Sequence, residues 1–233
     1  MTPLRLHYAP DNASLCVRLA LEACGIAYET VLVDRRAGGQ RRSSYLALNP
    51  NGLIPTLETP EGPLFETAAI LLWLAEQPGG AGLMPPPGAA GRGPALTWLV
   101  WLANTPHPRL RMLFYPDRYI DAGRAPALER GAREGIAAAL DLLEGEAARG
   151  PDWLRPGAAS AHVAYLCPML RWCALYPRGR TDWFDLGRWP VLEEIAKVTE
   201  GMAWARAAAA AEGLGPAFFS RPEHCNPPEG SAT

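Results

Sequence analysis

The stretch LRLHYAPDNASLCVRLALEACGIAYETVLV, Leu4–Val33, decides the fold. Leu4, Leu6 and Tyr8 alternate with Arg5 and His7, the period-2 pattern of a half-buried strand. Pro10 and Asp11 break that pattern. From Ala13 to Ala23 the period turns helical, with Leu15, Leu19 and Ala23 on one face and Arg18 and Glu22 on another. Gly25 is placed to end the helix. Tyr28–Val33, rich in β-branched residues, reads as a second strand. A strand, helix and strand joined by such short loops imply parallel pairing and a right-handed crossover.

Working outward, Asp34–Ser44 is polar and basic (Arg35, Arg36, Arg41, Arg42) and reads as a solvated loop or short helix. The turn cluster Asn49-Pro50-Asn51-Gly52 leads through Leu53, Ile54 and Pro55 into a brief strand. Pro60-Glu61-Gly62 then turns the chain back to Leu64-Phe65. Glu66 and Thr67 open an apolar helix over Ala68–Leu74. Residues 1–77 thus form one α/β domain. Residues 78–94 have a Pro/Gly linker composition. Beyond them strand signals vanish, and helical periodicity appears at about 95–105, 126–149, 160–175 and 190–212. Residues 95–215 are an all-α domain, and the proline-rich 216–233 an extended or frayed tail.

Composition narrows the function. The 233 residues are 48% apolar and 20% charged, enough for a real core. A net charge of −2 gives no electrostatic reason to expect nucleic acid or an anionic membrane as partner. Lys197 is the only lysine, a compositional bias, since the arginines are scattered and balanced by acids. No apolar run approaches the ~20 residues that span a bilayer. The five cysteines have no C-x-x-C and no metal-ligand spacing, so no metal is expected and a reducing, cytoplasmic address fits. The first four read as small buried hydrophobes.

The order of parts, together with Asn49-Pro50-x-Gly52-x-Ile54-Pro55 and Glu66-Thr67, resembles the glutathione S-transferase family. So do Trp98-Leu99 with His107, Leu113-Phe114-x-Pro116-Asp117, Leu170-Arg171-Trp172 and Ala211-Glu212-Gly213-Leu214, which resemble its bacterial beta class in particular. The likeness runs from about Leu4 to Leu214. It implies a thioredoxin-like domain followed by an all-α domain, glutathione as co-substrate, a small apolar electrophile as second substrate, and a homodimer. It also implies a cis Ile54–Pro55 bond, which would turn the backbone of Leu53 and Ile54 outward to pair with the tripeptide. The alternative is an ordinary trans proline ending a loop. Glu66 and Thr67 would bind the amine and carboxylate of the γ-glutamyl end at a helix N-terminus, or merely cap the helix.

One departure matters for chemistry. Ala13 stands where the beta class has its cysteine, so no mixed disulfide forms there. The glutathione thiolate must be stabilised by Ser14, by Asn12, or by neither, since both residues can also serve as helix caps. His107 is expected near the thiol or the electrophile, or as a plain interdomain histidine; His7, His162 and His224 get no role. Pro108 replaces the lysine that follows in the family, removing a cation. The basic loop at Arg35–Arg42 either reaches the glycine carboxylate or stays solvated. Trp98, Trp101, Met112, Phe114 and Tyr115 either line an apolar pocket or belong to the core. Three readings remain: a transferase, a non-catalytic binding or regulatory relative, and a glutathione-dependent reductase or peroxidase. The last is disfavoured by the missing cysteine.

Overall fold

Residues 3–231 are described by a computed structural model; the first two residues of the expected first domain and the last two of the tail lie outside them. Four strands, β1 (Leu4–Tyr8), β2 (Tyr28–Leu32), β3 (Thr56–Thr59) and β4 (Gly62–Phe65), form one sheet in the order β2-β1-β3-β4. β1 pairs β2 in parallel and β3 antiparallel, and β3 pairs β4 antiparallel. The crossover and hairpin expected from sequence are both present. Leu4, Leu6 and Tyr8 are buried on one face of β1. They pack against α1 (Ser14–Cys24), which Gly25 ends at φ 62°, its N–H capping the Leu21 and Glu22 carbonyls.

The basic stretch after β2 holds a short turn and α2 (Ser43–Leu46). Following β4 comes α3 (Thr67–Ala75), and the linker is packed rather than loose, with Leu83 and Met84 buried. Six more helices follow among the described residues: α4 (Arg92–Asn104), α5 (Pro106–Phe114), α6 (Ala125–Ala147), α7 (Ala161–Leu175), α8 (Pro190–Glu200) and α9 (Ala203–Glu212). α7 is the axis of the second domain and is buried over nearly all its length. Ser160 caps it by accepting the Val163 N–H at 3.1 Å.

Two boundaries differ from the sequence reading. α5 was not expected, because Pro106 and Pro108 resemble breaks; proline in a first turn forgoes only an N–H that has no helical partner there. The single periodic stretch at 190–212 is two helices, divided at Gly201-Met202. The tail is extended but anchored, with Phe218 and Phe219 buried and Glu200 accepting the N–H groups of Phe219 and Ser220.

Candidate active site

A cleft of about 760 Å³ opens between the sheet domain and the helices. That lies well within the ~300–1,000 Å³ typical of small-molecule sites. Its first-domain side is built from three chain segments that each begin a helix or strand.

The first is the turn before β3. The peptide Ile54–Pro55 is cis. The Leu53 carbonyl accepts the Tyr45 hydroxyl at 2.6 Å and the Asn49 side-chain amide at 2.8 Å, so α2 and the turn residue Asn49 fix the approach to Ile54. Gly52 sits at φ 60°, and a Cβ there would meet the Gln40 carbonyl oxygen at 2.9 Å, so glycine is needed on both counts. Neither the N–H nor the C=O of Ile54 has a hydrogen-bond partner among the described residues, which leaves a short unpaired strand edge facing the cleft.

The second segment is the start of α3. Glu66 is exposed, lines the cleft and adopts φ 72°, an uncommon backbone state for a residue with a Cβ. Its carboxylate makes no cap and no ion pair among the described residues. Thr67 is buried at the same helix end. Together they offer a free carboxylate, a hydroxyl and the positive end of a helix, a combination suited to a zwitterionic ligand group.

The third segment is the start of α1, where Asn12 and Ala13 are half-buried and line the cleft. Asn12 Oδ1 accepts the Ala13 N–H at 2.8 Å, which leaves the amide NH₂ as a donor with no acceptor among the described residues. Ser14 lies elsewhere. It is fully buried, and its hydroxyl donates to the Ala9 carbonyl at 3.1 Å and receives the Ala9 N–H at 3.3 Å. Of the three alternatives for the thiolate donor, Ser14 is the one the structure does not bring to the cleft: its hydroxyl ties α1 to the end of β1, outside the cleft lining.

Asp11 was not singled out from sequence, yet it holds this turn. It sits at φ 51° with a buried carboxylate. Arg171 donates to it from Nε at 2.8 Å and from a terminal nitrogen at 2.9 Å, Trp172 at 3.1 Å and Tyr176 at 2.8 Å. The Asp11 N–H donates to Glu212, which also accepts Arg18 Nε at 2.8 Å. Burial pushes the Glu212 carboxyl above the ordinary carboxylate range, against the pull of Arg18 and of the Asp11 N–H. The helical domain thus grips the loop ahead of α1 through the Asp11–Arg171 pair and α1 itself through the Arg18–Glu212 pair, both buried.

From the helical side, His107 reaches the cleft from the first turn of α5, and its Nδ1 pairs with the Tyr165 hydroxyl at 2.7 Å. Burial, helped by the charge of Arg111, pushes the imidazole down to about 4, so it is neutral at neutral pH. Burial holds the Tyr165 phenol well above its usual range, and Thr67 stands beside it. In sequence Tyr165 sits in an apolar helix with no local sign of a polar role.

Of the aromatic candidates, Phe114 and Tyr115 line the cleft, whereas Trp98, Trp101 and Met112 pack against the core. Arg35 and Arg41 of the basic loop also line it, with Arg35 donating to the Tyr115 hydroxyl at 2.9 Å, so this loop is more than a solvated run. Among the described residues no group of three His, Cys, Asp or Glu could hold a metal, and no helix is long and apolar enough to cross a membrane.

Residues 13–77 match the sequence profile of the glutathione S-transferase N-terminal domain. Glutathione S-transferase 3 of Zea mays is 32% identical over 155 residues, covering 64% of this chain and 69% of that protein. The chain belongs to the glutathione S-transferase family. A sphingomonad glutathione S-transferase complexed with glutathione superposes on this chain with a TM-score of 0.71 at 30% identity, covering 91% of this chain and all of the other. The maleylacetoacetate isomerase of Rhizobium meliloti is 44% identical over 78 residues, 34% of this chain; the match spans only 37% of that relative's length. The thioredoxin-like domain and helical domain of this chain are those the family likeness implied.

Proposed function

We propose that the protein is a beta-like glutathione transferase that joins the glutathione sulfur to an electrophile with an apolar body. The reading is carried by one arrangement: the unpaired Ile54 edge, the unpartnered Glu66 carboxylate at the start of α3 and the spare Asn12 amide at the start of α1 all face a single cleft. Glutathione has a peptide backbone, an amine with a carboxylate, and a thiol, and these three features are complementary to it. Leu53, Ile54 and Pro55 would hold the peptide, Glu66 and Thr67 the γ-glutamyl end, and Arg41 the glycine carboxylate.

In this mechanism Asn12 donates a charge-assisted hydrogen bond to the thiolate, aided by the positive end of α1. A free thiol with pKa ~8.5 is only a few per cent ionised at neutral pH, so each tenfold gain in thiolate needs ~1.4 kcal/mol of preferential stabilisation. His107, neutral and held by Tyr165, orients the electrophile or the sulfur through its second ring nitrogen. The thiolate sulfur then forms a bond to the electrophilic carbon, the leaving group departs with its electron pair, and the thiol proton passes to solvent. Holding both reactants in one cleft supplies the remaining advantage.

We further infer a cytoplasmic homodimer acting on reactive, potentially toxic electrophiles. The free state of all five cysteines supports the reducing address. A second reading, a non-catalytic relative that keeps the glutathione site, is favoured by Ala13 and by the cation lost at Pro108. Calorimetric titration with glutathione, followed by turnover of a chromogenic aryl halide, separates the two. Binding with conjugation supports the transferase, binding without turnover the second reading, and no binding removes both.

A further inference from the structure

The acceptor half of the cleft carries more positive charge than glutathione needs. Arg111 on α5, Arg118 in the turn after it and Arg178 beyond α7 all line the helical side. None of the three has a carboxylate within ion-pair distance among the described residues. Arg111 makes one long contact, from Nε to the Tyr119 hydroxyl at 3.4 Å, and Arg118 lies 4.8 Å over the Tyr115 ring. Two carboxylates line the cleft among the described residues. Asp11 is already saturated by Arg171, Trp172 and Tyr176, and Glu66 lies across the cleft at the start of α3. A half-buried guanidinium without a counter-charge is costly to keep in a concave site, and it is satisfied when a ligand brings the anion.

We propose that the second substrate is an electrophile bearing a carboxylate on a flat, unsaturated body. This inference rests on the glutathione transferase reading. Arg111 is placed to take the carboxylate, because it lies one helical turn beyond His107 on the face that lines the cleft. A planar guanidinium pairs with a carboxylate through two parallel N–H bonds. The rings of Phe114, Tyr115 and Tyr176 provide flat apolar walls beside it. Arg118 and Arg178, at the exposed rim, draw the acid inward and set the field that favours anions.

The test compares two glutathione S-conjugates that differ only at the handle: S-(4-carboxy-2-nitrophenyl)glutathione and its methyl ester. Calorimetric affinities are read for the wild type and for variants. The acid should bind ~10–50-fold more tightly than the ester, the range expected for a charge-assisted pair. Arg111→Gln should collapse that ratio to nearly one, and Arg118→Gln should narrow it several-fold. Arg36→Gln, which removes an equal charge outside the cleft, should preserve it. Equal affinity of the two conjugates in the wild type, or a ratio that survives both Arg111→Gln and Arg118→Gln, overturns the inference. In those cases both conjugates still bind, and the glutathione site stands. If neither conjugate nor glutathione itself binds, the transferase reading falls too.

Discussion

Asn12 and Ser14 stand two residues apart at the start of α1, and the backbone between them sends their side chains to opposite sides. Asn12 keeps a donor in the cleft, and Ser14 uses its hydroxyl on the Ala9 peptide. Removing them should therefore have different consequences. Asn12→Ala should lower kcat/KM for conjugation about 10–100-fold, the loss of one hydrogen bond to a charged sulfur, with little change in melting temperature. Ser14→Ala should cost roughly 1–3 kcal/mol of stability, read by denaturant unfolding, because two buried backbone groups of Ala9 lose their partner. Equal kinetic losses in both variants would contradict the assignment. Glu66 is the other residue with a separable role. Glu66→Gln should weaken glutathione binding roughly tenfold or more in a calorimetric titration, since it removes the counter-charge of a ligand amine. An unchanged affinity would take Glu66 out of the site.

Between elements, the decisive contacts run from α1 and the loop ahead of it to α7 and α9. Arg171 and Asp11 are 160 positions apart in sequence, and Arg18 and Glu212 are 194 apart. Both pairs are buried. Breaking such a pair from one side leaves an uncompensated charge, so Arg171→Met should cost about 3–5 kcal/mol, or roughly 6–20 °C in Tm. The double variant Arg18→Met with Glu212→Gln should recover most of what Arg18→Met alone loses, because a neutral amide needs no counter-charge and still accepts the Asp11 N–H. Thermal melts of the single and double variants check this. These contacts also mark the limit of what the chain discloses as a sequence. The β1–α1–β2 unit was legible because alternation and helical period are local signals, and so was the turn at Asn49–Pro55. Arg18 reads in sequence only as part of the helix face shared with Glu22, because its partner lies in the last helix. Asp11 read as a strand breaker for the same reason. Tyr45 and Tyr165 carry polar roles that depend on groups brought close only by folding.

At the scale of the molecule, two neutral histidines make stability depend on pH. Burial lowers His107 and His162 to about 4 from an ordinary 6.5. Between those values the unfolded chain takes up protons that the folded chain refuses, so stability is full above about 6.5 and falls as pH drops towards 4. The difference corresponds to about 3 kcal/mol for each group. Glu212, raised by burial, works in the opposite sense and favours the folded state in acid. With two groups against one, Tm should fall between about pH 7 and pH 5. His162→Phe should flatten that slope while keeping a ring packed against Trp153. A slope unaltered by the substitution would contradict the burial argument.

The account depends on glutathione lying in the interdomain cleft with its sulfur over the start of α1. Ultraviolet titration of the thiolate in the protein–glutathione complex tests this directly. The pKa of bound glutathione should fall below that of the free thiol in the wild type and return towards it in Asn12→Ala. A bound thiol that titrates like the free tripeptide in the wild type would contradict the account.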